Sequence, residues 1–523
     1  MLVRIVMTSI IFSFTVAGCG GGGGGSSTSA SQPSTPSTSQ PTSNAFFNAQ
    51  ADALPSFTTY YAGFSGYGGG LFFSNAIATT IDAKPTLIFF FHKTQATGGT
   101  AVTSKVENAE IILQRQADGK FTDETRRLLG TSPFSLNGQA GGTLAVKTNL
   151  SNSTNPTILI AGNAEDGRLI NSPGSVDTVV SQIQIPQTDG TYTTLNLGKA
   201  VFGGKGSMNV LGDNFFVGDF KRVEDNYRST PSGAIGTYYQ PYYQYNRQTS
   251  AFVEAGIAPT HAYGFEFVNA DTMFTTVTNF ATSTSGPTGY AFALAGNQSN
   301  TWSLGEFVVP FSNANHTYIN SAGQSVSLKD VGQYGYVIDG VNVYGVLLSV
   351  QGKADIDGDG VVEFITGINA GYVPSLRSDG KAYEADFKGY LKLQFWNVVN
   401  GKIITAKIKL QGENTAVNQS SFQLVDVNND GRLDVVVNSW NATGAPEVYL
   451  NQGDSVLSRV DPTKFPTVSI GTCCSPATKY SSAIFFDVNG DKLLDLIYQP
   501  YAVKSVNSGD SPVVYLAAKA LTN

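Results

Sequence analysis

The chain has 523 residues, with 32 Lys+Arg against 39 Asp+Glu and a formal charge of −7. That acidic balance argues against nucleic acid as a partner, because phosphate binding needs a basic face. Three histidines leave little room for His-based metal or acid–base clusters. Only 14% of residues are charged, against about a quarter in an ordinary soluble domain. Outside the N-terminus no apolar run approaches the ~20 residues of a spanning helix. Abundant Gly, Thr, Ser, Tyr, Phe and Val with few Glu, Lys and Met points to an all-β fold.

Residues 1–18 read as a signal peptide. Arg4 precedes an apolar stretch from Ile5 to Val16, too short to span comfortably. It ends in Val16-Ala17-Gly18-Cys19, which resembles a bacterial lipobox. The resemblance implies cleavage before Cys19 and lipid attachment to it, hence a membrane partner. Gly20 follows Cys19 in place of the Asp that marks inner-membrane retention, so the outer membrane is expected, with the chain on its periplasmic or cell-surface face. Residues 19–44 carry the lipidated Cys and an uncharged Gly/Ser/Thr/Pro tether. Such a segment cannot bury enough apolar surface to fold, and its reach is roughly 25–30 Å.

Residues 45–523 are expected to form one repeat-built body. Segments 84–90 (KPTLIFF) and 155–161 (NPTILIA) are alike, and each is followed by a second echo, around Asp118 and Asp189. A further echo lies at 290–297, with a poor one near Phe216. Strand starts near 86, 157, 219, 291, 363, 434 and 495 divide the body into seven units. Repeated antiparallel sheets of this size fit a β-propeller of about seven blades, which protects its edges by radial repetition. Thr58 to Phe73 is the expected strand closing the ring against the last blade.

The segment 238–245 (YYQPYYQY) holds Tyr238, Tyr239, Tyr242, Tyr243 and Tyr245. Tyrosines offer large, rigid contact surface with a polar tip. The segment reads either as a ligand-binding loop or as an ordinarily packed strand. Gly203–Ser207 is Gly-rich but lacks the spacing of a phosphate loop.

Three acidic loops follow. The first offers Asp355, Asp357, Asp359 and Glu363, the second Asp426, Asn428, Asp430 and Asp434, the third Asp487, Asn489, Asp491 and Asp495. Oxygen ligands at alternate positions of a tight turn suit Ca²⁺, which takes 6–8 oxygens, some from backbone carbonyls. Val361, Arg432 and Leu493 stand where such a loop supplies a carbonyl. Gly360 and Gly431 fall at a sharp turn with φ > 0, where the third loop has Lys492. An EF-hand needs an acid at its twelfth residue, and here those residues are Thr366, Val437 and Tyr498. Each loop ends at its ninth residue and runs into an apolar strand.

These loops resemble the FG-GAP/VCBS repeats of integrin-α-like β-propellers, most clearly at 426–437 (DVNNDGRLDVVV). The resemblance implies calcium in loops between strands of a blade, at up to three sites. Over 78–300 it is partial, with Thr86 and Thr157 in place of the closing acid.

Cys473 and Cys474 are adjacent and even in number once Cys19 is acylated. They read either as a vicinal disulfide or as two thiols. No Gly-x-Ser-x-Gly elbow, His-Glu-x-x-His or P-loop occurs. The expected product is therefore a calcium-binding lipoprotein that recognises a protein or glycan without catalysis. Rival classes are a lyase-like propeller acting on polysaccharide and a structural partner of an outer-membrane assembly.

Overall fold

A computed structural model describes residues 46–48, 54–55, 70–96, 104–130, 143–148, 153–162, 182–196, 208–211, 214–217, 239–246, 248–249, 251–259, 265–279, 289–298, 301–310, 312–314, 317–319, 323–327, 335–338, 341–372, 382–383, 388–412, 419–439, 445–466, 480–500, 502–503 and 512–522. Cys19, the 20–44 tether, Tyr238, Cys473 and Cys474 lie outside them. Among the described residues the one α-helix is Thr125–Leu129, and no helix is long and apolar enough to cross a membrane.

The described strands build a β-propeller of seven antiparallel units. Blade one comprises Gly70–Ile81, Lys84–Ala96, Ser104–Arg115 and Phe121–Asp123, and blade two Thr143–Thr148, Thr157–Gly162, Gln182–Pro186 and Tyr192–Asn196. Blade three comprises Met208–Leu211, Asn214–Val217, Tyr239–Asn246 and Ala251–Pro259, and blade four Phe265–Asn269, Thr272–Asn279, Gly289–Gln298 and Thr301–Val308. A parallel pairing of Ile257 with Thr301 joins their outer strands into one sheet. Blade five is built on Val341–Ala354, Glu363–Tyr372, Lys388–Val399 and Lys402–Thr405, and blade six on Gln419–Val425, Asp434–Ser439, Glu447–Asn451 and Val456–Arg459. Blade seven has Tyr480–Phe486, Asp495–Pro500 and Val513–Tyr515.

The edge of blade seven is extended by a short segment from the other end of the body. Phe47 bridges Ala517, with Asn48 N–H donating to the Leu516 carbonyl at 2.8 Å and Ala518 N–H to that of Phe46 at 2.7 Å. The expected closure by Thr58–Phe73 is seen only at its described end. Thr58–Gly69 lie outside the described residues, and Gly70–Phe73 open the first strand of blade one. There Leu71 and Phe72 add a short pairing to Val503 and Ala502. The early segment was hard to see because three residues carry no strand periodicity.

Alternation along the strands explains the ring. In the second strand of blade one, Leu87, Phe89 and Phe91 pack with Val488, Ile497 and Val514 of blade seven, while Ile88 and Phe90 face Ile158, Ile160 and Tyr192 of blade two. In blade six, Val435 and Val437 meet Ile365 and Phe395 of blade five, and Val436 meets Leu496 and Tyr498 of blade seven. Phe274 and Phe292 of blade four stack near Phe364 and Trp396 of blade five. A period of two thus sends successive apolar side chains to opposite neighbours. Burying them stabilises each blade only when both neighbours are present.

Between blades one and two sits a buried acid. Glu110 is 1% exposed and accepts from Gln184 Nε2. Glu110 Oε1 and Gln184 Oε1 have no hydrogen-bond partner. Burial pushes the Glu110 carboxyl up to about 7, against the opposing bond from Gln184. A neutral carboxyl supplies the one donor this pair of orphaned oxygens lacks.

Two predictions follow from this packing. Phe47 is 3% exposed and lies 6.2 Å from the Phe465 ring. Phe47→Ala is expected to cost about 3 kcal/mol in denaturant unfolding; no change would show that the segment does not close the ring. For Glu110, a folded pKa above the unfolded value means that stability is fully present below the unfolded pKa and falls as pH rises toward 7. Glu110→Gln should therefore stabilise at pH 8 by up to about 3 kcal/mol and flatten the pH profile. A profile identical to wild type would contradict this.

Candidate metal centre

Loop one is Asp355–Glu363, loop two Asp426–Asp434 and loop three Asp487–Asp495. Each joins the first and second strands of its blade, in blades five, six and seven respectively. The flanking register is the same each time: Ala354 pairs Glu363, Val425 pairs Asp434 and Phe486 pairs Asp495. All three loops therefore leave the same rim.

The first acid organises the turn. Asp355 Oδ1 and Oδ2 accept the N–H groups of Gly358 at 2.8 Å and Gly360 at 3.0 Å. Asp426 accepts those of Asp430 and Gly431, and Asp487 those of Gly490 and Lys492. The third residue accepts the N–H of the fifth: Asp357 from Asp359, Asn428 from Asp430, Asn489 from Asp491. The fifth accepts that of the seventh, Val361, Arg432 or Leu493.

These bonds need two left-handed residues per loop. At the sixth position φ is 85° for Gly360, 86° for Gly431 and 71° for Lys492. The fourth position is left-handed too: Gly358, Asn429 and Gly490. The recurring Gly/Asn at that place was the available signal.

The ninth acid is buried where the others are not. Glu363, Asp434 and Asp495 are 1%, 0% and 0% exposed. One oxygen of each accepts the N–H of the loop's second residue, Ile356, Val427 or Val488, at 2.7–2.8 Å. The other oxygen faces the third strand of the blade or its continuation, accepting from Asn397 Nδ2, Asn451 N–H and Ala517 N–H respectively. The second residue is itself buried among the apolar core. Burial first, then repulsion from Asp430 and Asp426, raises the Asp434 carboxyl to about 6. Burial, then Asp491 and Asp487, raises Asp495 to about 7, and Glu363 is raised by burial and by Asp357 and Asp359.

The donor set fits a hard dication. Ligand oxygens of Asp355, Asp357 and Glu363 lie within 4.8 Å of one another. Two oxygens bound to one Ca²⁺ at about 2.4 Å can be no further apart than that. Among the described residues this is the one such trio of acids. In loops two and three the third position is Asn, whose Nδ2 donates to Asp430 Oδ2 and to Asp491 Oδ2. Arg432 also bonds Asp430 Oδ2 at 2.6 Å. Loop one therefore has the greatest negative charge for an ion, with Asp355, Asp357, Glu363 and the adjacent Asp359.

Residues 426–498 match the FG-GAP-like repeat. That repeat runs from the first acid of loop two through the strand after loop three. No curated protein matches the chain. An exotype rhamnogalacturonan lyase is 10% identical, covers 91% of this chain and 76% of its own, and has a TM-score of 0.30. A protein of unknown function from Dyadobacter fermentans is 8% identical over 86% and 94% (TM-score 0.31). The parainfluenza virus 5 haemagglutinin-neuraminidase is 8% identical over 91% and 95% (TM-score 0.30). At such scores these likenesses carry no weight for activity.

Loop one lies outside the FG-GAP-like repeat and keeps its acids, whereas blade two keeps only the flanking register. In blade two Thr148 pairs Thr157, the spacing of the acid loops, and Thr157 is fully buried at the closing position. Blade one differs from expectation. Its first two strands meet at a two-residue turn, Asp82-Ala83, both with positive φ, so Thr86 lies inside a strand opposite Thr79. Blade three begins its second strand at Asn214, ahead of the expected 219. The tyrosines Tyr239, Tyr242, Tyr243 and Tyr245 fall on a strand paired on both sides, with a bulge between Tyr242 and Tyr243. The segment is a strand and not a loop.

Lys492 offers a test of the loop geometry. A non-Gly residue held at φ 71° costs about 1 kcal/mol relative to Gly. Lys492→Gly is expected to stabilise by about that amount in metal-free thermal unfolding, and Gly431→Lys to destabilise similarly. Opposite signs would contradict the shared frame.

Proposed function

We propose that this protein is a calcium-stabilised propeller, held to the outer membrane by lipid on Cys19, that binds a protein or glycan without catalysing a reaction. The observation that carries the reading is the repetition of one oxygen-rich loop at one register in three consecutive blades. Each loop confines two or three carboxylates beside a buried one, and a dication relieves their repulsion. The loop acids already hold backbone N–H groups in place, which suits an ion that stiffens a rim. Val361, Val362 and Leu433 on that rim are 37%, 40% and 41% exposed, giving apolar contact points beside the charged loops. The 20–44 tether would supply reach from the membrane.

Three ions, each at a hundredfold excess over its Kd, would contribute about 8 kcal/mol of stability. Chelation is therefore expected to lower the melting temperature, and Ca²⁺ to restore it where equal Mg²⁺ does not. A melting curve indifferent to chelator would overturn the calcium part. For recognition, envelope proteins and surface polysaccharides should be retained on the immobilised chain in Ca²⁺ and released by chelation. Depolymerisation of the polysaccharide would favour a lyase instead.

A further inference from the structure

We propose that Asn451 couples loops one and two, so that they take up calcium as a pair while loop three fills independently. The proposal rests on the calcium reading above.

Asn451 closes the third strand of blade six and is 1% exposed. Every polar group it owns is committed. Its backbone N–H donates to Asp434 Oδ1 at 2.7 Å, and its carbonyl accepts from Arg432 Nε at 2.9 Å. Its Oδ1 accepts the N–H of Gly453. Its Nδ2 donates to the Leu433 carbonyl in loop two at 3.2 Å and to the Ile356 carbonyl in loop one at 2.5 Å. One side-chain amide thus ties the backbones of two loops that are 71 residues apart in sequence.

A second bond clamps the same place. Ser455, in the turn that follows Asn451, donates from Oγ to Asp357 Oδ2 at 2.8 Å. Asp357 belongs to the trio of acids in loop one. Any ion that draws Asp357 and the loop-one backbone into a fixed position also fixes the turn carrying Asn451. That turn in turn holds Asp434 and the Leu433 carbonyl of loop two. The amide is buried, so movement of either loop costs Asn451 Nδ2 one of its two acceptors.

Among the described residues loop three shows no such connection. The place of Asn451 is taken in blade seven by Ala517, whose N–H donates to Asp495 Oδ1 at 2.8 Å. A methyl group has no donor to offer the preceding loop. Blades six and seven are joined instead by Gln423, which exchanges two hydrogen bonds with the backbone of Phe485. Phe485 is held within a strand, paired to Leu496, so this contact stays fixed whichever loop is filled.

The test is a thermodynamic cycle by calorimetric calcium titration of the full chain. Loop three is disabled throughout by Asp487→Asn with Asp491→Asn. Loop one affinity is then measured with loop two intact, or disabled by Asp426→Asn with Asp430→Asn. Disabling loop two should weaken calcium at loop one about fivefold or more, and disabling loop one should weaken loop two by the same factor, since coupling is reciprocal. Asn451→Ala should bring that factor to about one. Where Asn451→Ala does not fold, Ser455→Ala, which spares the amide bonds, should reduce the factor; an unreduced factor counts against the proposal. Two loops that bind calcium with no mutual effect would overturn the coupling and leave the calcium reading intact. No calcium uptake by the unaltered chain would overturn the calcium reading itself.

Discussion

A carboxylate buried at the end of a short loop is the constraint on which the loop-bearing half of the ring depends. Glu363, Asp434 and Asp495 stand at the first residue of the second strand in their blades and are almost fully withdrawn from water. An isolated buried charge is expensive, so each oxygen is given a donor, one from the loop and one from the neighbouring strand or its continuation. Those bonds weld the loop to the blade. They do not cancel the charge, and two acids of the same loop press on it from outside: Asp357 and Asp359 on Glu363, Asp426 and Asp430 on Asp434, Asp487 and Asp491 on Asp495. A divalent ion among these oxygens would turn the repulsion into attraction. The same site geometry thus explains both the tight turn and its demand for a cation.

The second organising fact is that blades are not independent. Odd and even residues of one strand belong to different inter-blade cores, so a blade has two faces and needs two neighbours. Blade seven reaches blade six through Tyr498 and blade one through Ile497. The Phe46–Asn48 segment extends its sheet beside Leu516–Ala518. Polar links cross the same seams. Asp82 and Asn155 exchange two hydrogen bonds between blades one and two, and Asn451 crosses from blade six to blade five. Directional bonds fix the register of blades that apolar packing alone would leave free to slide.

Much of this was legible in the residues. Strand starts at Thr157, Glu363, Asp434 and Asp495 hold to the residue because a polar ligand or its replacement precedes an apolar run at a fixed count. The sixth-position turn was visible as glycine, and Lys492 does adopt the strained conformation that its place in the motif demanded. The contact of Phe46–Asn48 with the last unit was not visible because three residues are too few to show alternation, while Leu71 and Phe72 of the expected closing segment do pair with Val503 and Ala502. Blade one hid its two-residue turn because KPTLIFF imitates the NPTILIA of blade two, although only the latter follows a long loop. Asn451 and Ser455 were invisible for another reason. Their partners lie 95 and 98 residues away, and no local pattern marks an Asn whose work is done across a seam. Tyr239, Tyr242, Tyr243 and Tyr245 left loop and strand open, and pairing on both sides decides for strand.

The central claim is that the loops hold calcium. Equilibrium dialysis of the purified chain in calcium-containing buffer, with bound metal counted per chain, tests it most directly. The account predicts about three ions per chain, with the loss of loop one's when Asp355 and Asp357 are both changed to Asn. A chain that carries no calcium at millimolar free ion, yet is folded, would contradict it.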